Sequence, residues 1–494
     1  DAIALDGVVV SANRSETTRR MAPTLVNVVD LKLFETTNSS TLSQGLNFQP
    51  GVRVETNCQN CGFQQVRING LDGPYTQILI DSRPVFSALS GVYGLEQIPA
   101  SMIERVEVMR GGGSALFGSS AIAGTINIIT KEPLRNSGQL SHTITSLGGS
   151  SSFDNNTSLN ASLVTDDHRA GLYIFGQNRY RSGYDYDGDG FTELPKLKNQ
   201  TVGFRSYLKT STYSKLTFEY HHMQEFRRGG DMLNRPPHEA HIAEQLQHSI
   251  DGGSLKFDYF SPDEKNRLSV FASAANTDRD SYYGPGNDPL KAYGKTTDLT
   301  AMGGAQYVHT FDKCFFMPSD LTAGLEYNRD RLKDNMWGYN RHTDQTVNIY
   351  SAFLQNEWKN DRWGILIGGR LDKHNMVDNV IFSPRANLRF NPTQNINLRL
   401  SYSSGFRAPQ AFDEDMHIEN VGGTVAMIER AKDLKEEKSQ SFSVSADMYH
   451  RFGAFQTNLL IEGFYTRLTD VFVLGKPYDR GDGILRSEEH TSEL

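Results

Sequence analysis

From Leu134 onward the chain repeats one pattern, in which polar and apolar side chains alternate over runs of about ten residues, each closed by a polar turn. LSHTITSLGG, AGLYIFGQNRY, KLTFEYHHMQ and NINLRLSYSSGF are examples. A period of two belongs to a strand whose two faces meet different surroundings. No run approaches the ~18 consecutive apolar residues that a spanning helix requires. If this chain crosses a membrane, it must therefore do so as strands of a closed sheet. Hydrophobic residues make up 37%, aromatics 10%, and the net charge is −8. A soluble multidomain protein could share those totals, but the alternation together with abundant Ser, Thr, Asn and Gly is how a membrane barrel reads. Tight connections at Asn360 to Arg362 and Asn391 to Gln394 contrast with long stretches at Arg181 to Asn199, Phe226 to Ser249, Asp278 to Thr297 and Arg407 to Lys438. The tight end is expected to face the periplasm and the long stretches the exterior.

The first 133 residues have another texture. ILID (78 to 81), IERVEVM (103 to 109) and TINIIT (125 to 130) are short Ile- and Val-rich runs, punctuated by Gly70, Gly73, Gly111, Gly112, Gly113, Gly118 and Gly124. Such runs read as buried strands in a turn-dense domain. An amphipathic helix is expected over Ser39 to Phe48, ending at Pro50 and Gly51.

QVRINGLDG, ILIDSRPV and IPASMIERVEVMRGGGSALFGSSAIAGTINIITK, in that order, resemble the plug domain of TonB-dependent outer-membrane receptors, and GFRAP (Gly405 to Pro409) is similar to the FRAP box of their barrels. The second barrel box departs from the family's NPxL, with Ala431 and Lys432 ahead of Asp433 and Leu434. The resemblance implies a mainly β fold: an α+β plug over residues 14 to 133 inside an antiparallel transmembrane β-barrel that starts near Leu134. It also implies a TonB box at Leu5, Asp6, Gly7, Val8, Val9, Val10 and Ser11, a segment that the energy-coupling protein TonB captures by adding it as a strand to its own sheet. Plug arginines Arg67 and Arg110 are expected to pair with carboxylates on the inner wall, such as Glu357 and Asp372.

The implied function is active import across the outer membrane of a Gram-negative cell. The cargo would be an iron complex, siderophore or haem, with cobalamin as the alternative cargo and a non-energised porin or adhesin as the alternative mechanism. Expected partners are TonB, outer-membrane lipid, the small ligand and a surface lipoprotein, with no nucleic acid. Family barrels close with about 22 strands, whereas the roughly 350 residues after Pro133 suffice for about 14 to 16. Strands are therefore expected beyond the end of this chain. RSEEHTSEL (Arg486 to Leu494) reads like a translated sequencing adapter and is expected to be foreign.

Several constellations invite chemistry. GGGSALFG lacks the Lys-Ser/Thr of a phosphate loop, and no nucleophile elbow or HExxH spacing occurs, so no enzyme is expected. No cofactor is required. Asp185, Asp187 and Asp189 alternate before Gly190, with Glu193 beyond, which reads either as a Ca²⁺-binding outer loop or as a solvated acidic tip. Cys58 and Cys61 in NCQNC read first as a local disulfide, with reduced thiols or a redox or metal role as alternatives. His238 and His241, with His221, His222 and His248, read as substrate contacts, metal or haem ligands, or plain loop histidines. His417 lies between the two barrel boxes, where haem receptors of the family carry a ligand, and Arg407 lies within GFRAP. These four, His238, His241, His417 and Arg407, are the candidate ligand contacts.

Overall fold

The computed structural model describes residues 7–58, 60–84, 94–285, 292–421, 424–453 and 455–492. Leu5 and Asp6 of the expected TonB box lie outside the described residues.

The N-terminal domain is built from short elements because its apolar runs are short. Strands β1 (Val8–Val9) and β2 (Thr17–Thr18) form a two-stranded ribbon, and β3 (Val26–Asp30) leads into helix α1 (Leu31–Thr36), whose Asp30 N-cap accepts from Leu33 N. Helix α2 covers only Leu42–Leu46, shorter than the sequence pattern suggests. Its N-cap is Thr41, and the serines before it bond locally instead: Ser40 N and Oγ both donate to Gln44. Hairpin β4 (Val52–Cys58) and β5 (Phe63–Ile68) follows, then β6 (Thr76–Ile80), β7 (Arg83–Pro84), α3 (Gly94–Gln97), β8 (Ile103–Arg110), α4 (Ser114–Phe117) and β9 (Gly124–Thr130). The central sheet runs β3-β8-β9-β6-β7, with β6 parallel to β9 and the other neighbours antiparallel. Val106, Val108, Ile126 and Ile128 are wholly buried in its core, which also takes in Tyr173 and Phe175 from the surrounding wall.

That wall is one antiparallel sheet of 15 strands. In order they are β10 (Ser137–Ser146), β11 (Phe153–Val164), β12 (Ala170–Arg181), β13 (Lys196–Ser211), β14 (Ser214–Gly230), β15 (Ile242–Phe260), β16 (Asn266–Pro285), β17 (Tyr293–Cys314), β18 (Met317–Met336), β19 (Arg341–Lys359), β20 (Trp363–His374), β21 (Ile381–Thr393) and β22 (Ile396–Arg407), then β25 (Glu437–Phe452) and β26 (Phe455–Thr469). Edges β10 and β26 bound the sheet. Between β22 and β25 the chain forms β23 (Glu419–Val421) and β24 (Thr424–Arg430), which join β27 (Val471–Leu474), β28 (Tyr478–Asp479) and β29 (Ile484–Ser492) in a separate small sheet. The adapter-like residues therefore supply most of β29, which runs parallel to β24.

Alternation sorts the wall's two faces. On β12, Ile174 points outward and exposed, while Tyr173, Phe175, Gln177, Arg179 and Arg181 point inward and are buried. Leu140, Leu159, Val202, Leu255, Leu299, Leu354, Ile367 and Leu400 continue the outer apolar face. The strands outrun the ten residues read from sequence: β17 has 22 residues. At ~3.3 Å per residue that is roughly 70 Å, far beyond a hydrocarbon core of ~30 Å. Much of Phe226 to Ser249 and of Asp278 to Thr297 is thus wall strand extended beyond that thickness, whereas Arg181 to Asn199 and Arg407 to Lys438 lie mostly between wall strands. Among the described residues no helix is long and apolar enough to cross a membrane.

Candidate functional site

The N-terminal domain is seated in the wall through charge. Glu96 of α3 is buried and meets three wall arginines: Arg181 Nη1 at 2.7 Å, Arg227 Nη1 at 2.8 Å and Arg179 Nη1 at 3.1 Å. Burial alone would push its carboxyl up, but Arg181, Arg227 and Arg179 outweigh that and hold it well below the usual carboxylate range. Asp81, after β6, pairs with Arg205 of β13 at 2.7 Å. Arg14 reaches Glu326 of β18 at 2.5 Å and lies over the Phe353 ring at 4.7 Å, while Arg370 takes the other Glu326 oxygen at 2.7 Å. Beside these pairs lies a cleft lined by Phe117 to Ser120 of the plug and by Arg370 and Asp372 of the wall.

The two arginines singled out in the sequence divide. Arg110 lies 2.9 Å from Glu462 of wall strand β26. Arg67 does not reach the wall: it pairs with Glu55 at 2.6 Å and Asp72 at 2.8 Å, because its hairpin and the following turn supply carboxylates closer than any wall group. Neither expected wall partner takes these arginines. Glu357 accepts from Asn13 Nδ2 at 2.8 Å, and Asp372 bonds Arg370 and Ser351.

The described part of the N-terminal segment pairs with β2 through Val8 and Val9 and is docked on the plug carboxylate of Glu107. Val10 N and Ser11 N each donate to Glu107 Oε2 at 2.9 Å, and Ser11 Oγ donates to the same atom at 2.7 Å. Val9 and Ser11 are wholly buried and Val8 is exposed. Just beyond, Arg385 donates to Ala12 O and Gln355 to Asn13 O, so four consecutive residues, Val10 to Asn13, are tied to the domain or the wall.

At the opposite end, the β4–β5 turn rises against the side of the sheet that carries the long connections. Cys58 ends β4, and Gly62 N donates to Cys58 O at 3.0 Å, closing the turn. The turn is seated on β14 so closely that a Cβ on Gly229 would lie 1.8 Å from the Asn60 carbonyl oxygen. The fit therefore requires glycine at 229. Cys58 and Cys61 stand as thiols. The expected disulfide is not formed, and each sulfur faces a group from another element: Cys58 Sγ lies 3.1 Å from Glu244 Oε2 of β15, and Cys61 Sγ lies 4.0 Å from His417 Nδ1. All four donor atoms lie within 4.8 Å of one another. Hydrogen bonding from Cys61, helped by His417, pulls the Cys58 thiol down to about 4 against its burial. The His417 ring is held against Phe63 at 5.2 Å and perpendicular to Tyr283 at 5.5 Å.

The other candidates sit elsewhere. His238 contacts Tyr293 Oη at 2.9 Å, and the exposed His241 contacts Asp231 at 2.6 Å. Arg407 is buried, 3.3 Å from Glu437 and between the Phe412 and Phe472 rings, so it is part of the packing where β22 ends. Asp185, Asp187 and Glu193 converge, but Asp189 turns to accept from Phe191 N, and Asp185 already accepts from Gly188 N and Gly190 N. Glu244 and Glu96 were missed in the sequence reading. Glu244 lies six residues after His238 in the same stretch, and its acidic side chain falls at an inward-facing strand position, a signal visible only once the register is known.

Residues 18–125 match the family described as TonB-dependent receptor plug domain, and residues 123–484 match TonB dependent receptor-like, beta-barrel. A vitamin B12 transporter, BtuB, from Vibrio vulnificus (strain CMCP6) is 24% identical over 425 residues, covering 83% of this chain and 64% of that protein. A second BtuB, from strain YJ016, is 33% identical over 174 residues, 34% of this chain and 28% of that protein. The chain thus spans less than two thirds of the length of these curated relatives. Among solved structures, the siderophore receptor PirA from Acinetobacter baumannii superposes with a TM-score of 0.78 at 18% identity, covering 96% of this chain and 76% of that one. A mutant of the ferric enterobactin receptor PfeA from Pseudomonas aeruginosa gives 0.77 at 18% identity, covering 96% and 76%. These likenesses establish a common fold.

Proposed function

The chain belongs to the TonB-dependent receptor family, and on that footing we propose that it imports a scarce ligand across the outer membrane of a Gram-negative cell, driven by TonB. The observation that carries the reading is the seat of the plug. The plug packs some apolar surface on its wall, at Tyr173 and Phe175 and around Phe63, but it is also tied there by many shared ion pairs and hydrogen bonds. Buried ion pairs regain the hydration of both partners when they part, so their separation costs far less than the loss of one partner, and a pulled plug can shift and return. The pull has a defined point of attack. TonB would take the strand at Val8 to Val10 by main-chain pairing, which competes with the bonds that Val10 and Ser11 make to Glu107. Strain then passes through Ala12, Asn13 and Arg14 to the wall. The function is binding and gating, with no covalent step.

For the cargo, iron complexes come first and cobalamin second. The named solved structures are siderophore receptors and the curated relatives are cobalamin transporters, so both classes belong in one assay. The test is accumulation of labelled ferric siderophores, haem and cobalamin in cells carrying the protein, with and without a protonophore and with and without TonB. Energised import of one of them is the expected result. Accumulation that ignores both the gradient and TonB would replace this reading with a passive porin.

A further inference from the structure

We propose that Cys58, Cys61, Glu244 and His417 form a four-coordinate site for one thiophilic late first-row metal ion, Zn²⁺ or Cu⁺, and that this ion is a cargo recognised at the outer end of the plug. The ion's role as cargo rests on the uptake reading above; its binding does not.

Donor chemistry and spacing support the site. Two sulfurs, an imidazole nitrogen and a carboxylate oxygen select a soft or borderline ion over Ca²⁺ or Mg²⁺, which take oxygen. A tetrahedral Zn²⁺ with bonds of about 2.0 to 2.3 Å places its ligand atoms roughly 3.3 to 3.8 Å apart. Here the Cys58–Glu244 separation is 3.1 Å, the Cys61–His417 separation is 4.0 Å, and every pair lies within 4.8 Å. Small rotations of four side chains would close the set on one ion. Four donors so convergent leave no room for a macrocycle or a chelate, which separates this cargo from haem, siderophores and cobalamin.

The surroundings suit an ion as well. Ala240, Ala243, Leu246, Tyr283 and Ile418 are buried around Cys61 and strengthen electrostatic binding by excluding water. Among the described residues Glu244 has no ion pair with arginine or lysine, whereas Glu96, Glu225 and Glu326 are each paired with arginine.

Placement gives the ion its role. The two cysteines belong to the plug, Glu244 to wall strand β15 and His417 to the connection between β22 and β23. The site is complete only while the plug is seated. Displacing the plug leaves two donors on each side and abolishes four-fold coordination, so the movement that opens a path would also release the ion. By linkage, bound ion must stabilise the seated plug by the same free energy.

The experiment uses the reduced protein purified in detergent, stripped with chelator and titrated with Co²⁺, then Zn²⁺, with Cu⁺ measured by competition against a chromogenic chelator. One Co²⁺ per chain is expected, with a thiolate charge-transfer band and the strong visible absorption of a tetrahedral centre, displaced by one equivalent of Zn²⁺. Cys58→Ser/Cys61→Ser should lose the bands, and Glu244→Gln and His417→Gln should each weaken binding tenfold or more, with heat-modifiable mobility checking that the barrel is intact. Absence of stoichiometric binding, binding unchanged in the double serine variant, or a Cys58–Cys61 disulfide in protein taken from the membrane would overturn the site. Radiolabelled Zn²⁺ and Cu⁺ accumulation in cells tests the cargo. Equal accumulation by the wild type and the double serine variant overturns the cargo role. Accumulation that needs the cysteines but not the proton gradient upholds the site and its cargo and instead defeats the energised mechanism proposed above.

Discussion

Replacing Glu96 with glutamine removes the carboxylate that joins the plug to three wall arginines, and the structure shows which of them is stranded. Arg179 keeps Asp154, with Nη2 to Oδ2 at 2.6 Å, and Arg227 keeps Glu225, with Nε to Oε1 at 2.7 Å. Among the described residues Arg181 is left with the Pro195 carbonyl alone, at 3.0 Å. Removing one partner of a buried pair costs about 3 to 5 kcal/mol. A cleft lined by Glu96, Asp154, Arg179 and Arg181 adjoins the cluster, so water can partly resolvate the orphan. The lower end, about 3 kcal/mol, is therefore expected, roughly a hundredfold in the population of unseated plug. Hydrogen–deuterium exchange of the β8 and β9 amides under mild denaturant measures that population, and a double-mutant cycle with Arg181→Gln isolates the pair. The same group sets a pH dependence. The arginines depress the Glu96 carboxyl in the folded state, so its contribution is complete above the unfolded value of about 4.3 and is lost as pH falls below it. Wild-type seating should therefore weaken from about pH 4.3 downward, and the Gln variant should lack that part of the slope. Neutral-pH exchange in Glu96→Gln within about 0.5 kcal/mol of wild type would refute the reasoning.

Three further outcomes are expected. Glu107→Ala leaves Val10 N, Ser11 N and Ser11 Oγ without their acceptor; at ~1.5 to 3 kcal/mol for bonds to a charged group, exchange at Val10 and Ser11 should accelerate tenfold or more, and unchanged exchange would show that the segment is held by other contacts. Gly229→Ala sets a Cβ against the Asn60 carbonyl, a backbone atom that cannot rotate away; it should unseat the β4–β5 turn at ~1 to 3 kcal/mol, read as faster alkylation of Cys61, and an unaltered rate would mean that the turn is not seated there. Arg407→Ala should lower the thermal midpoint through loss of its Glu437 pair and two ring contacts while leaving cargo affinity per folded molecule unchanged, and an affinity loss without a stability loss would restore Arg407 as a ligand contact.

Local pattern was enough for the architecture. Period-two alternation specified the wall, and the Ile- and Val-rich runs at 78 to 81, 103 to 109 and 125 to 130 fall on β6, β8 and β9. Element length was legible only where the environment stays the same along a strand. Past the membrane the outer face of β17 turns polar, and no residue marks where strand gives way to loop. Contacts between domains were least legible. Arg67 and Arg110 look alike in sequence, yet one is satisfied inside its own hairpin and the other on β26, because the choice depends on which carboxylate the fold brings nearer. Cys58 and Cys61 invited a disulfide because spacing of three shows only that two sulfurs can meet. It cannot show that Glu244, 186 residues from Cys58, and His417, 356 residues from Cys61, arrive at the same place.

The two ends of the plug are held by different chemistry, and that difference orders the events of transport. At the inner end three hydrogen bonds converge on the one carboxylate of Glu107, a set that an added strand can displace bond by bond. The Glu96 and Asp81 pairs are each shared between plug and wall, so they give way only when the plug moves as a body. At the outer end the cysteines meet Glu244 and His417, where a bound ion would add the strongest single tie. A loaded receptor is thus hardest to open at the end farthest from the pull. Force entering at Val10 should free the N-terminal segment first, and the ion should leave last, when Cys58 and Cys61 part from the wall.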